Sequence, residues 1–277
     1  MSVGRDDFLG GIVAASRRRV EESLERKSMA DLEREALRRT PAGAAFRTAL
    51  GAVGLVNVIA ECKRRSPTKG VLSAHYDPAA IAKAYERGGA AAVSVLTEPT
   101  CFDGSLQHLQ RVCAAVDLPV MRKDFIVDSY QLLEARASGA DAVLLIVAAL
   151  DRAALARLLR HANALGLGVL VETHAPDEIQ LAIDEGASII GVNSRNLRTL
   201  EVDRHVCDRL IGEIPPGCVA VAESGIRSVD DVRHLRGLGY QAVLIGEWLM
   251  TAAEPSNRVK QARAATVDRT GAGSGGC

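Results

Sequence analysis

VIAECKRRSPTKG, residues 58–70, decides how the rest of the chain is read. It starts as a short apolar run that reads as a buried strand. Glu61 and Lys63 stand two apart near its end, and side chains alternate along a strand, so the two charges share one face. A buried carboxylate and a buried ammonium are each costly unless paired or used. Ser66-Pro67 and Lys69-Gly70 follow at once, which is turn chemistry where a strand opens into a polar loop. Active sites of parallel α/β proteins are built in this order: strand, charges at its end, polar loop.

Working outward, seven more apolar runs follow VNVIAE: AAVSVL, LPVMRK, DAVLLI, LGVLVE, SIIGVN, CVAVAE and QAVLIG. Amphipathic segments with helical spacing separate them, including 77–88, 128–139, 151–166, 175–186 and 228–239. Most begin near Asp, Ser or Pro and end at Gly, as N-caps and C-caps do. Eight strands alternating with helices predict an α/β fold, a (β/α)8 TIM barrel. A doubly wound open sheet is the runner-up. Its dinucleotide-binding form is disfavoured, because no Gly-x-Gly-x-x-Gly follows the first strand. Residues 1–56 read as an N-terminal helical extension of one or two helices that caps the barrel, 57–266 as the barrel, and 267–277 as a flexible tail.

Bulk composition narrows the function. Of 277 residues, 48% are hydrophobic but only 3% aromatic, so the core must be aliphatic, as in parallel sheets covered by helices. Lys plus Arg and Asp plus Glu are each 34, so nothing favours nucleic acid or an anionic membrane as partner. No apolar run approaches the roughly 18–20 residues of a membrane span, and the N-terminus lacks leader character; the expected location is cytoplasmic. Cys62, Cys101, Cys113, Cys207, Cys218 and Cys277 are scattered without Cys-x-x-Cys spacing and read as reduced thiols. The six histidines, His75, His108, His161, His174, His205 and His234, read as surface residues, Trp248 as packing, and Arg17–Arg19 as a solvated helix face.

The remaining polar residues cluster by position. Glu61 and Lys63, Arg122 and Lys123, Glu172, Asn193 and Arg195, and Glu223 and Ser224 all stand at or just past the C-terminal ends of apolar runs. Barrel enzymes carry their chemistry on that face. A ring of alternating Lys and Glu there holds itself neutral and shifts pKa values enough for acid and base roles. Gly225 and Gly246-Glu247 follow the seventh and eighth runs, where barrels bind phosphate with backbone N–H groups and a short helix.

These motifs carry a resemblance to a known family. IAECKRRSPTKG, SVLTEPTCFDGS, PVMRKDFIVDSYQ, GADAVLLI, the Glu of LVETH, IGVNSRNLRTLEVD, VAESGI and LIGEWLM are similar to the indole-3-glycerol phosphate synthases of tryptophan biosynthesis, from the N-terminal helices to about Pro255. The resemblance implies a (β/α)8 barrel with an N-terminal helical segment and neither metal nor organic cofactor. The implied enzyme is a carbon–carbon lyase converting 1-(2-carboxyphenylamino)-1-deoxy-D-ribulose 5-phosphate to indole-3-glycerol phosphate, CO2 and water. It implies Lys123 as general acid toward the carbonyl, Glu172 as acid/base in the dehydration, and Lys63 as a second cation positioned by Glu61. Asn193 and Glu223 resemble the groups holding hydroxyls and amine, and Ser224 with Arg195 the groups lining the substrate. Lys63, Ser66, Gly225, Gly246 and Glu247 resemble the phosphate site, and Phe102, Phe125, Leu144 and Leu197 the wall against the aryl ring. The implied partner is a phosphorylated small molecule; transient contact with other tryptophan-pathway enzymes is compatible with the family.

A carbonyl protonated near pH 7 suits a lysine whose pKa is lowered by burial or by a like charge. Two other readings stay open on residues alone. Phosphoribosylanthranilate isomerase chemistry needs a Cys and Asp acid–base pair, whereas the first run here ends in Glu61 and Lys63. A catalytically silent barrel that binds an anion or a partner subunit has no use for the set Glu61, Lys63, Lys123, Glu172, Asn193 and Ser224.

Overall fold

Eight short strands, buried on both faces, close the sheet on itself. In the computed structural model, which describes residues 7–265, these are β1 (Asn57–Cys62), β2 (Ala92–Leu96), β3 (Val120–Lys123), β4 (Ala142–Ile146), β5 (Gly168–Thr173), β6 (Ile189–Asn193), β7 (Val219–Glu223) and β8 (Ala242–Ile245). All neighbours are parallel, and the ring shuts where β1 pairs with β8, from Asn57 opposite Ala242 to Ala60 opposite Ile245. The expected barrel is therefore present, and the open sheet is excluded. The expected tail at 267–277, with Cys277, lies outside the described residues.

Both faces of each strand are apolar, which is why the runs lack polar alternation. Ile59, Met121, Leu144, Leu170, Val221 and Leu244 fill the interior, while Val58, Ala60, Val93, Val143, Val171 and Val243 pack outward in the layer shared with the helices. Cys62 belongs to this outer layer. That separates its thiol, which burial pushes well above the ordinary value, from Glu61 and Lys63 on the inner face.

Helix ends follow the cap residues. Asp77, Asp128, Asp151 and Ser228 each accept a backbone N–H with the side chain, whereas Ala175 makes no such bond and is followed by Pro176. The left-handed residue ending the first of these helices is Gly89, with φ 81°, rather than Gly88. Gly88 is constrained instead by helix 255–263, because a Cβ there would lie 2.7 Å from Val259 Cβ.

The described part of the extension forms three helices, not one or two: α1 (Phe8–Arg26), α2 (Met29–Ala36) and α3 (Gly43–Leu50). α3 plugs the N-terminal end of the barrel. Its Phe46 and Leu50 join the interior cluster, and Asn57 Nδ2 donates to Leu50 O at 2.8 Å. α1 reaches loops at the opposite end. Ser16 Oγ donates to Phe125 O at 2.6 Å, and Arg19 pairs with Glu98 at 3.3 Å and Asp124 at 3.5 Å. Arg17 and Arg18 are exposed as expected, but Arg19 is drawn into this network. No described helix is long and apolar enough to cross a membrane.

Candidate active site

Register brings the polar strand ends to one level. Leu96 pairs with Lys123, Ile146 with Glu172, and Asn193 with Glu223. Inward-pointing residues at the C-terminal rim then surround a cavity of about 320 Å³. Its lining includes Glu61, Lys63, Lys123, Glu172, Asn193, Arg195, Glu223, Ser224, Gly225, Gly246 and Glu247. Phe102, Phe125, Leu144 and Leu197 form an apolar wall, the two rings 6.5 Å apart.

Lys123 is the electrostatic centre. Its Nζ lies 2.8 Å from Glu223 Oε2 and 3.3 Å from Glu172 Oε2, joining residues 100 and 49 positions away. Burial alone would lower the lysine pKa, but Glu223, Glu172 and Glu61 outweigh it and raise the pKa well above the ordinary value. The expectation of a lowered lysine pKa is thereby corrected: the three carboxylates around the ammonium outweigh its burial.

The two carboxylates are driven apart. Burial raises the Glu172 pKa, yet Lys123, His174 and the Asn193 hydrogen bond at 2.9 Å overcome it and hold the group below the ordinary range. Glu223 moves the other way, to about 7; burial and the Glu172 charge exceed the pull of Lys123. Glu223 Oε1 has no hydrogen-bond partner. It lies over Gly191, where any Cβ would collide with it, so β6 carries glycine in its centre to make room for a carboxylate from β7.

A sign follows for stability. Between its ordinary 4.5 and about 7, folded Glu223 keeps a proton that the unfolded chain has released. Its stabilising share is complete below pH 4.5 and disappears as pH rises through about 7. Melting curves across that window should fall more steeply with pH for the wild type than for Glu223→Gln. Equal slopes would place the raised pKa elsewhere.

On the other side of the cavity, Lys63 Nζ meets Glu61 Oε1 at 2.5 Å. Gly246 leaves their space open, since a Cβ there would overlap the Glu61 carboxylate and approach Lys63 Nζ to 2.8 Å. Ser224 and Gly225 follow β7 with φ 64° and 74°. Two successive residues with positive φ make a tight turn at the cavity rim. For Ser224 the conformation costs about 1–2 kcal/mol.

Not every expected residue reaches the cavity. Ser66 is absent from the lining; its hydroxyl accepts the Lys69 N–H at 3.1 Å and holds the turn of the small hairpin 65–71. Arg122 points to the outer side, where it donates to Thr97, Gln131 and Glu134 and pairs with Asp124 at 3.0 Å. Glu247 lines the cavity but is paired with Lys69. Strand alternation could have separated Arg122 from Lys123.

Lys69 and Arg227, which the sequence did not single out, also line the cavity, as does Trp248, which packs against the core as expected. The sequence reading also missed His174, immediately after β5, whose Nε2 lies 3.7 Å from Glu172 Oε1. Among the described residues, no group of three or more His, Cys, Asp or Glu side chains is placed to hold a metal ion.

Comparison with known proteins agrees with this architecture. In the solved structures, 3-hexulose-6-phosphate synthase from Salmonella typhimurium superposes with a TM-score of 0.61 at 14% identity, over 76% of this chain and 98% of that one. Thiamine phosphate pyrophosphorylase from Pyrococcus furiosus gives 0.59 at 16%, over 76% and 95%. At such identities the likeness is one of fold. Sequence relatives are far nearer. Indole-3-glycerol phosphate synthase 1 of Streptomyces coelicolor is 51% identical over 94% of both chains, and the Arthrobacter sp. enzyme named indole-3-glycerol phosphate synthase is 48% identical over 94% of this chain and 97% of its own. The family model described as indole-3-glycerol phosphate synthase matches residues 9–262, spanning α1, every barrel strand and the lysine–carboxylate rim. The chain belongs to the indole-3-glycerol phosphate synthase family.

Proposed function

We propose that this barrel closes the pyrrole ring of 1-(2-carboxyphenylamino)-1-deoxy-D-ribulose 5-phosphate, releasing CO2 and water to give indole-3-glycerol phosphate. One observation supports the residue assignment most: a charged Lys123 bridges Glu172 and Glu223 in a cavity with an apolar wall and a glycine rim. The aryl ring lies against Phe102, Phe125, Leu144 and Leu197, and the phosphate against the backbone at Gly225 and Gly246. Lys63, Arg195, Arg227 and Lys69 supply positive charge on that side; Glu247 fixes Lys69.

Lys123 protonates the carbonyl oxygen, so the ring carbon bearing the carboxylate attacks an activated carbon. Decarboxylation then restores aromaticity. Glu172, held ionised, takes up and returns a proton in the dehydration, and Asn193 fixes its orientation. Glu61 holds Lys63, while Glu223 and Ser224 engage the hydroxyls and amine. Positioned acid–base groups contribute about 10²–10⁴-fold each, and folding a flexible chain so that ring carbon meets carbonyl supplies much of the rest. The location we propose is the cytoplasm.

The test is direct: purified protein with no metal added should generate indole fluorescence from the carboxyphenylamino-deoxyribulose phosphate. A folded sample that leaves it unconverted removes the assignment. Gly246→Ala should keep the fold by circular dichroism yet lose about 10²-fold in kcat/KM, because its methyl displaces the Glu61–Lys63 pair. Unchanged kinetics would mean that the pair does not need its present position.

A further inference from the structure

His174 has an environment that packing does not explain. Its side chain is 17% exposed, and neither ring nitrogen has a hydrogen-bond partner in good geometry. Nε2 faces Glu172 Oε1 at 3.7 Å, and Nδ1 faces Glu178 Oε2 at 3.4 Å. Glu178 is itself fixed by accepting the His174 backbone N–H at 2.6 Å. A second cavity adjoins the first at Asn193 and Val202, and His174, Ser194, Asn196, Glu201 and Asp203 also line it. Asn196, Glu201 and Asp203 are exposed, so this cavity reaches the surface.

The reaction proposed above, on which this inference rests, makes such a connection useful. With the substrate entering as a carboxylate, the balance is substrate plus H⁺ giving indole product, CO2 and water. Each turnover draws one proton from solvent. Glu172, which contacts Lys123, is buried, with a side chain 2% exposed.

We propose that His174 is a proton relay that restores the proton Lys123 gives up, drawing it from the second cavity and passing it through Glu172, which lies between the two, with Glu178 orienting the His174 ring. The imidazole gains a proton at Nδ1 from the solvent side and gives up the Nε2 proton to Glu172 Oε1, Glu172 passes one to Lys123 Nζ, and a ring flip or tautomer exchange through water restores the Nε2–H form. The oxygen–nitrogen gap exceeds a direct hydrogen bond and suits one bridging water or a small ring rotation. The charged groups around the ring are Glu172 on the strand before it, Glu178 on the following helix and Glu223 beside Glu172, with Glu201 and Asp203 in the lining of the same cavity; Lys123 stands beyond Glu172. Burial disfavours the imidazolium, but Glu178, Glu172 and Glu223 outweigh it, so the ring binds its proton more readily than a free histidine.

The experiment is steady-state kinetics against pH for the wild type, His174→Gln and His174→Ala, with and without added imidazole. His174→Gln should lower kcat on the order of 10-fold, with KM unchanged and the deficit widening as pH rises. That is less than the ~10²–10⁴-fold expected of a group that itself exchanges a proton with substrate. Imidazole should restore His174→Ala in a saturable way and leave Glu172→Gln unrescued. Wild-type kcat in His174→Gln, or a loss with unaltered pH dependence that imidazole does not restore, overturns the relay while leaving the reaction intact. An inert wild type overturns the reaction assignment itself, and the relay with it.

Discussion

Lys123→Met should abolish most turnover, lowering kcat by about 10²–10⁴-fold or more, while the substrate still binds. The methionine fills the lysine stem's volume but carries no proton. The side of the cavity proposed to hold the phosphate, with Gly225, Gly246, Lys63 and Arg195 in its lining, is untouched by the change. Isothermal titration with substrate or a phosphorylated analogue should therefore report binding where kinetics report almost none. Wild-type-like turnover would remove Lys123 from the acid role.

The same substitution has a second signature. Glu172 and Glu223 would lose the ammonium that both contact, and breaking a buried pair costs about 3–5 kcal/mol. Without the pull of Lys123 the Glu223 pKa moves above its wild-type value of about 7, so the folded variant holds a proton that the wild type releases, and holding it costs more as pH rises. The drop in melting temperature relative to wild type should be larger at pH 8 than at pH 6. A drop independent of pH would mean that the carboxylates do not interact through Lys123.

Glu172→Gln should fold normally and stall late. The amide keeps an acceptor for Asn193 Nδ2 but has no proton to exchange at neutral pH. A loss of about 10²–10⁴-fold in kcat is expected. In a single turnover, CO2 should appear near the wild-type rate while indole absorbance lags behind. Simultaneous slowing of both products would put Glu172 before decarboxylation, and faster product release would contradict the dehydration role.

Much of this was legible along the chain for a simple reason. Parallel strands inside a helical shell are apolar on both faces, so charges at strand ends stand out against Val, Ile, Leu and Ala. Cap residues such as Asp77, Asp128 and Ser228 marked helix starts because their side chains satisfy backbone N–H groups locally. The number of helices in the extension was not legible, since that face is charged and its turns are short. Nor was the fate of Arg19: its partners, Glu98 and Asp124, lie 79 and 105 residues away. His174 was passed over because a histidine one step beyond a strand end has no local feature separating it from a surface residue.

Local pattern determined the eight strands, the end of each that carries chemistry, and the inward face shared by Glu61 and Lys63, because alternation and capping act over a few residues. Closure of the ring decided what those residues become. It seated Lys123 between carboxylates from β5 and β7, drove Glu172 and Glu223 to opposite pKa shifts, turned Arg122 outward, and left Ser66 outside the cavity. Electrostatic coupling and steric fit depend on distances between strands many residues apart, and only the closed barrel defines those distances.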